Sequence, residues 1–102
     1  MKMDINISQI DTVKNDKNNV VIDVRETDEL ELTGYLPGAE HYPMSAFNLD
    51  DANLDKDKNY YIVCKAGGRS KRVQDYMNAH GYTAYNVEGG MMEYTGPRDR
   101  LQ

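Results

Sequence analysis

The segment YYIVCKAGGRSKRVQDYMNAH, residues 60–80, decides how this chain folds. Its first four residues are aromatic or β-branched, which is typical of a buried β-strand. Four later residues recur at the i, i+3, i+4, i+7 spacing of one helix face: Val73, Tyr76, Met77 and His80. This spacing predicts a helix over 69–80, and Gly81 stands where a left-handed residue ends such a helix. The segment therefore predicts a strand, a glycine-containing loop and a helix, with Cys64 directly after the strand.

Strands and short helices alternate on both sides of this segment. A β-branched run over 20–24 predicts a second buried strand. Weaker patterns predict short strands around 5–7, 39–42 and 85–87. They also predict short helices capped by Ser8, Thr27 and Ser45, the last of these helices over 46–49, and a final helical turn over 91–94. This order predicts an α/β fold with a mostly parallel sheet, built as a single domain over 1–102. Ligands of such sheets bind at the carboxyl ends of strands, which is where Cys64 falls.

Composition excludes several classes of protein. The chain has 102 residues, a net charge of −5, one cysteine and two histidines. An acidic chain is unsuited to general nucleic-acid binding, and these few sulfur and imidazole ligands fall short of a structural zinc site. We see no apolar signal segment or membrane span and expect no metal, no cofactor and no membrane partner. A lone thiol persists in a reducing compartment, so we expect the cytoplasm.

The residues after Cys64 favour an anion. Gly67 and Gly68 let the backbone curl so that successive N–H groups point inward, and the positive end of the next helix dipole faces the same loop. Lys65 and Arg69 add positive charge, whereas Lys71 and Arg72 are interpreted as solvated helix residues. A thiolate is the reactive form of cysteine, and this loop favours it. Chemistry alone leaves an equal alternative, in which the cysteine ends a core strand before an ordinary turn.

Four short segments, taken in order, resemble the rhodanese-homology sulfurtransferases. CKAGGRS at 64–70 resembles the family's active-site loop, commonly C-x-x-G-x-R-S. IDVRE at 22–26 resembles its D-V-R-E segment, GYLPGA at 34–39 its G-H-I-P-G-A turn, and VEGGM at 87–91 its E-G-G ending. Each motif is weak alone, but the four together span the chain from about residue 20 to about residue 94.

The resemblance implies a rhodanese-like five-stranded, mostly parallel sheet flanked by helices on both faces. It also implies that Cys64 is the nucleophile and that a persulfide on it is held by the loop residues Lys65, Ala66, Gly67, Gly68, Arg69 and Ser70. The sulfur would come from thiosulfate or a persulfide and pass to a thiol or cyanide. With no second cysteine in the chain, the acceptor is external. Protein donors or acceptors are compatible with the cycle.

Several other residues are weighed against a structural role. The family places Asp23 and Arg25 near the loop as possible supporting residues, although a structural ion pair is the favoured interpretation. The histidines His41 and His80 are interpreted as structural. Tyr35 stands where the family often has histidine, which bears on acceptor choice. Another departure, Tyr94 in place of tryptophan, is interpreted as packing.

Two other functions compete with sulfur transfer. Cysteine phosphatases and arsenate reductases also hold a thiolate in an anion-binding loop. Tyrosine phosphatases have C-x5-R, whereas Cys64 and Arg69 form C-x4-R, and the shorter loop has less room for a tetrahedral oxyanion. A non-catalytic rhodanese-like interaction module is the third possibility, although such modules often lack the cysteine that this chain keeps.

Overall fold

A computed structural model describes residues 4–101 of the chain and contains one five-stranded sheet. The strands are Ile5–Asn6 (β1), Asn19–Asp23 (β2), Glu40–His41 (β3), Asn59–Val63 (β4) and Thr83–Glu88 (β5). Their order in the sheet is β1-β5-β4-β2-β3, and every neighbouring pair is parallel. The predicted α/β fold with a five-stranded parallel sheet is confirmed. Among the described residues, none of the helices has the length and apolar character needed to cross a bilayer.

Helices cover both faces of the sheet. They are Ile10–Lys14 (α1), Thr27–Thr33 (α2), Leu49–Ala52 (α3), Gly68–Ala79 (α4) and Gly90–Glu93 (α5), with 3-10 turns at Ile7–Gln9 and Met44–Ala46. One core cluster joins Ile22 and Ile62 of the central strands to Met77 of α4. A second cluster, on the other face, joins Val63 and Val87 to α1 and α5. Burial on both faces explains why β2 and β4 read as continuous apolar runs.

The long helix α4 begins and ends within one residue of its predicted bounds, but its buried face differs from the predicted one. Its buried residues are Ser70, Val73, Gln74 and Met77. His80, predicted on the apolar stripe, is exposed, and Tyr76 is half-buried. The face turns toward Ser70 and Gln74 because β5 supplies acceptors for the Ser70 hydroxyl and the Gln74 Nε2, through Asn86 and the Ala84 carbonyl. Gly81 has a φ of +88°, as the predicted helix end requires.

Several predicted element boundaries are wrong in detail. Three predicted capping residues do not cap: Ser8, Thr27 and Ser45. Asn6 instead caps the 3-10 turn Ile7–Gln9, Glu26 precedes α2, and Asn48 caps α3. The helix predicted over 46–49 forms over Leu49–Ala52. The first strand stops at Asn6 because Ile7 already begins a 3-10 turn. Neighbouring polar residues have similar capping ability, so the local sequence does not choose between them.

The segment 97–101, here called the C-terminal strap, ties α2 to α5. Its Asp99 pairs with Tyr35 in an isolated antiparallel bridge, with both N–H···O distances at 2.9 Å. Arg98 donates to the carbonyl of Thr33 in α2 at 3.0 Å and to that of Met91 in α5 at 2.7 Å. The strap thereby donates hydrogen bonds to carbonyls near the ends of both helices.

Candidate active site

Cys64 lies directly after β4, at the carboxyl edge of the sheet, and its side chain is only 2% exposed. The Gly67 N–H donates to its Sγ at 3.0 Å, and the Ser70 Oγ lies 3.2 Å from the same sulfur. Gly67 has a φ of +110°, in the region that favours glycine, and it precedes the first residue of α4. The predicted strand, loop and helix therefore bring backbone donors and the helix N-terminus to one sulfur atom.

Competing effects set the pKa of the Cys64 thiol. Burial raises this pKa, because a charged sulfur loses hydration. Hydrogen bonds to the sulfur act in the opposite direction, from the Ser70 hydroxyl and from the amides of Ser70, Gly67 and Ala66. Together the donors outweigh burial, so the pKa is lowered from its ordinary value and the thiolate is favoured.

Asn86 of β5 is a residue of this site that the sequence did not reveal. Its Oδ1 accepts a hydrogen bond from the Ser70 hydroxyl at 2.5 Å, and its Nδ2 donates to the Gly67 carbonyl at 3.3 Å. The side chain is buried, with 7% exposed. The one signal in the sequence was a single amide side chain inside an otherwise apolar buried strand. Such a side chain points to a nearby polar residue, because buried polar groups need hydrogen-bond partners.

The Ser70 hydroxyl has two acceptors and a single proton. With Cys64 as a thiol, the S–H can donate to Ser70, which donates onward to Asn86. With Cys64 as a thiolate, the serine can donate its proton to the sulfur only by breaking its bond to Asn86. Asn86 therefore competes with the thiolate for one hydrogen bond.

The two basic residues of the loop have different environments. Arg69 forms a bidentate ion pair with Glu29 of α2, at 2.5 and 2.9 Å. This hydrogen-bonded pair lowers the pKa of the Glu29 carboxyl to about 2 and raises that of Arg69. Lys65 is exposed and has no ion pair within residues 4–101. Much of the positive charge expected from Arg69 is thus balanced by Glu29, which the sequence did not single out.

Asp23 and Arg25 form a buried structural pair near the same sheet edge. Arg25 Nη2 lies 2.8 Å from Asp23 Oδ2, and the two side chains are 2% and 1% exposed. Arg25 also donates to the Thr33 hydroxyl and to the Gly34 carbonyl, each at 2.9 Å. These contacts join the end of β2 to the end of α2.

The glycines after β5 bring α5 against the active-site loop. The N–H of Met91 donates to the Cys64 carbonyl at 2.9 Å, and that of Met92 donates to the Lys65 carbonyl at 2.9 Å. A Cβ on Gly90 would lie 2.4 Å from the Lys65 oxygen and 2.5 Å from the Cys64 oxygen. Only a glycine permits this approach, so the first turn of α5 holds the start of the loop.

The tyrosines and histidines noted in the sequence contact other elements of the fold. Tyr94 is buried in the core cluster beside α5. Tyr35 pairs through its backbone with the C-terminal strap. The His41 Nε2 lies 2.7 Å from the Arg25 carbonyl, and the exposed His80 lies at the end of α4, with Nδ1 2.8 Å from the Tyr76 carbonyl.

Comparison with known proteins agrees with this architecture. The family model described as Rhodanese-like domain matches residues 7–96. The chain is 39% identical over 84 residues to the putative sulfurtransferase YtwF of Bacillus subtilis, covering 82% of this chain and 81% of that protein. Several other curated relatives are longer proteins, of which the chain spans 16% to 45% of the length, and their names range from a tRNA sulfurtransferase to a tRNA uridine(34) hydroxylase.

Solved structures give the same result. A rhodanese-like domain protein from Staphylococcus aureus matches with a TM-score of 0.83 and 32% identity, covering 99% of this chain and 100% of that one. SSP1007 from Staphylococcus saprophyticus matches with a TM-score of 0.80 and 37% identity, covering 92% and 94%. With the motifs, the sheet order and these matches together, the chain belongs to the rhodanese-like domain family.

Proposed function

We propose that this protein is a sulfurtransferase that carries a sulfane sulfur as a persulfide on Cys64. Relatives named as sulfurtransferases support sulfur transfer in general. The observation that carries the specific proposal is the set of donors around one buried sulfur, with the Gly67 N–H at 3.0 Å and the Ser70 hydroxyl at 3.2 Å. Such donors stabilise the thiolate at this sulfur, which is the form of Cys64 that attacks a sulfur donor.

The proposed cycle has two displacements. The Cys64 thiolate attacks the outer sulfur of thiosulfate, a new S–S bond forms, and sulfite leaves with the electron pair of the broken bond. A persulfide donor would react in the same way and release its thiolate. An external thiolate then attacks the outer sulfur on Cys64, takes it as a new persulfide, and regenerates the Cys64 thiolate. Cyanide would instead leave as thiocyanate. Since the chain has one cysteine, no internal disulfide can replace the external acceptor.

The phosphatase alternative is less well supported. Transfer of a phosphoryl group needs a cation directed at the bound oxyanion. The Arg69 guanidinium is instead held by Glu29, and the loop is one residue shorter than C-x5-R. Loss of Cys64 without loss of binding to a cellular protein would favour the interaction module.

We place the protein in a reducing compartment such as the cytoplasm, where a free thiol is maintained.

Intact-mass measurement tests the proposal directly. The protein is incubated with thiosulfate, and separately with glutathione persulfide, and its mass is measured before and after treatment with a reducing thiol. We expect a gain of one sulfur atom that maps to Cys64 and is removed by the thiol. The Cys64→Ser variant is the matched control and should gain nothing. Absence of the gain with both donors would reject the proposal, and Cys64-dependent hydrolysis of a phosphotyrosine peptide would then support the phosphatase.

A further inference from the structure

A groove of about 530 Å³ begins at Lys65 of the active-site loop and lies between α2, α5 and the C-terminal strap. Leu32 and Thr33 of α2 line one side, Met92 of α5 lines another, and Arg98 and Arg100 extend into it from the strap. Cys64 itself does not line the groove. A molecule in the groove would therefore contact the active-site loop at Lys65 without contacting the Cys64 side chain.

The charge of this groove is opposite to that of the whole chain. Three of its cations, Lys65, Arg98 and Arg100, have no ion pair in the part of the chain that the structure describes. Arg98 and Arg100 are held in place by main-chain carbonyls, which orient them without neutralising their charge. The carboxylate that lines the groove, Glu29, is already paired with an arginine. A cationic groove on a protein of net charge −5 attracts acidic partners.

The groove is also bordered by exposed apolar side chains. The exposed large hydrophobic residues among positions 4–101 are Leu32, Met92 and Leu101, with 78%, 70% and 43% of their surface exposed. The first two line the groove and the third follows Arg100 in the strap. Apolar side chains surrounded by charged ones are typical of a protein–protein contact. A small sulfur anion would need only the loop and would leave these side chains in water.

We propose that this groove docks a segment of a partner protein that carries both carboxylates and apolar side chains such as leucine. A cysteine of this partner exchanges sulfur with Cys64. This inference rests on the proposed sulfurtransferase function and identifies its partner class. Lys65 and the two strap arginines would pair with carboxylates of the partner, while Leu32 and Met92 would cover its apolar residues. The chemistry is that of the cycle described above. A partner that accepts sulfur attacks the outer sulfur on Cys64 with its thiolate in the second displacement, and a partner persulfide that donates sulfur releases its thiolate in the first.

The test uses the whole chain with its persulfide formed in advance and counted by mass. Two cysteine peptides that share a central leucine but carry either aspartates or lysines serve as acceptors, and glutathione serves as a small anionic acceptor. Rates are measured at low and high salt. We expect the acidic peptide to react about 10-fold faster than the basic one at low salt, with the ratio falling at high salt because surface charges are screened.

Variants locate the effect. Arg100→Glu should lower the acidic-to-basic rate ratio by about 5-fold, and Leu32→Ser should slow both peptides relative to glutathione. Lys17→Glu, an equal charge reversal in the turn before β2 at the opposite edge of the sheet, should leave the ratio unchanged. A wild-type ratio near one, an unchanged ratio in Arg100→Glu, or an equal loss with glutathione would overturn the docking inference. Failure to form the persulfide at all would instead reject the proposed function.

Discussion

Replacing Ser70 with alanine should raise the pKa of Cys64 by about one unit. A hydrogen bond to a charged group contributes about 1.5–3 kcal/mol, and the serine hydroxyl gives up a neutral bond to Asn86, worth about 0.5–1.5 kcal/mol, to make it. The difference is about 1–1.5 kcal/mol, and 1.36 kcal/mol corresponds to one pKa unit. The Gly67 N–H remains at 3.0 Å from the sulfur, so the loop should keep part of its preference for the thiolate.

Because the chain has a single cysteine, the rate of alkylation by iodoacetamide against pH reports this pKa without interference. Below the pKa, the Ser70→Ala variant should react about 10-fold more slowly than the wild type, and the two rates should converge at high pH. Ser8→Ala, at an exposed serine in the 3-10 turn after β1, is the control and should leave the profile unchanged. A pKa equal to that of the wild type, or a lower one, would refute the assigned role of the hydroxyl.

Three other predictions follow from contacts that reach the loop. Asn86→Ala should lower the pKa of Cys64 by at most about one unit in the same alkylation assay, because the Ser70 proton loses the acceptor that competes with the sulfur. A raised pKa would contradict this competition between Asn86 and the thiolate. Gly90→Ala should destabilise the protein by about 3 kcal/mol or more in urea unfolding, because the added Cβ would meet main-chain oxygens at 2.4 and 2.5 Å. A Cβ on Gly68 would meet nothing within 4 Å, so Gly68→Ala should be tolerated. The pKa of Glu29 is lowered to about 2, so its ionised form stabilises the fold above the unfolded-state pKa of about 4.3 and loses this effect as the pH falls toward 2. The stability difference between wild type and Glu29→Gln should therefore shrink between about pH 5 and about pH 2, and a constant difference would show that the carboxylate is not the cause.

Local sequence was sufficient for the backbone of the site. The apolar run over 60–63, the glycines after Cys64 and the helical spacing beyond them are properties of adjacent residues. Each acts through propensity or periodicity, and the structure confirms the strand, the loop and the helix at these positions. The motifs at 22–26, 34–39 and 87–91 added the family and with it the parallel sheet.

Partners distant in the sequence could not be predicted in the same way. Asn86 lies 16 residues from Ser70, and Glu29 lies 40 residues from Arg69. These contacts exist because β5 lies next to β4 and because α2 packs near the start of α4, and no local pattern states which side chains then meet. The same applies to the helix face, which turned toward polar side chains because β5 supplies their partners.

By itself, then, the sequence determined the fold class, the family and the identity of the candidate nucleophile, since these depend on the order and spacing of residues along the chain. Tertiary structure alone decided the environment of the Cys64 sulfur: which hydroxyl and amides donate to it, that Arg69 is balanced by Glu29, and that a cationic groove opens beside Lys65. The physical reason is range. Backbone propensities act over a few residues, whereas hydrogen bonds, ion pairs and grooves depend on which elements the sheet order places side by side.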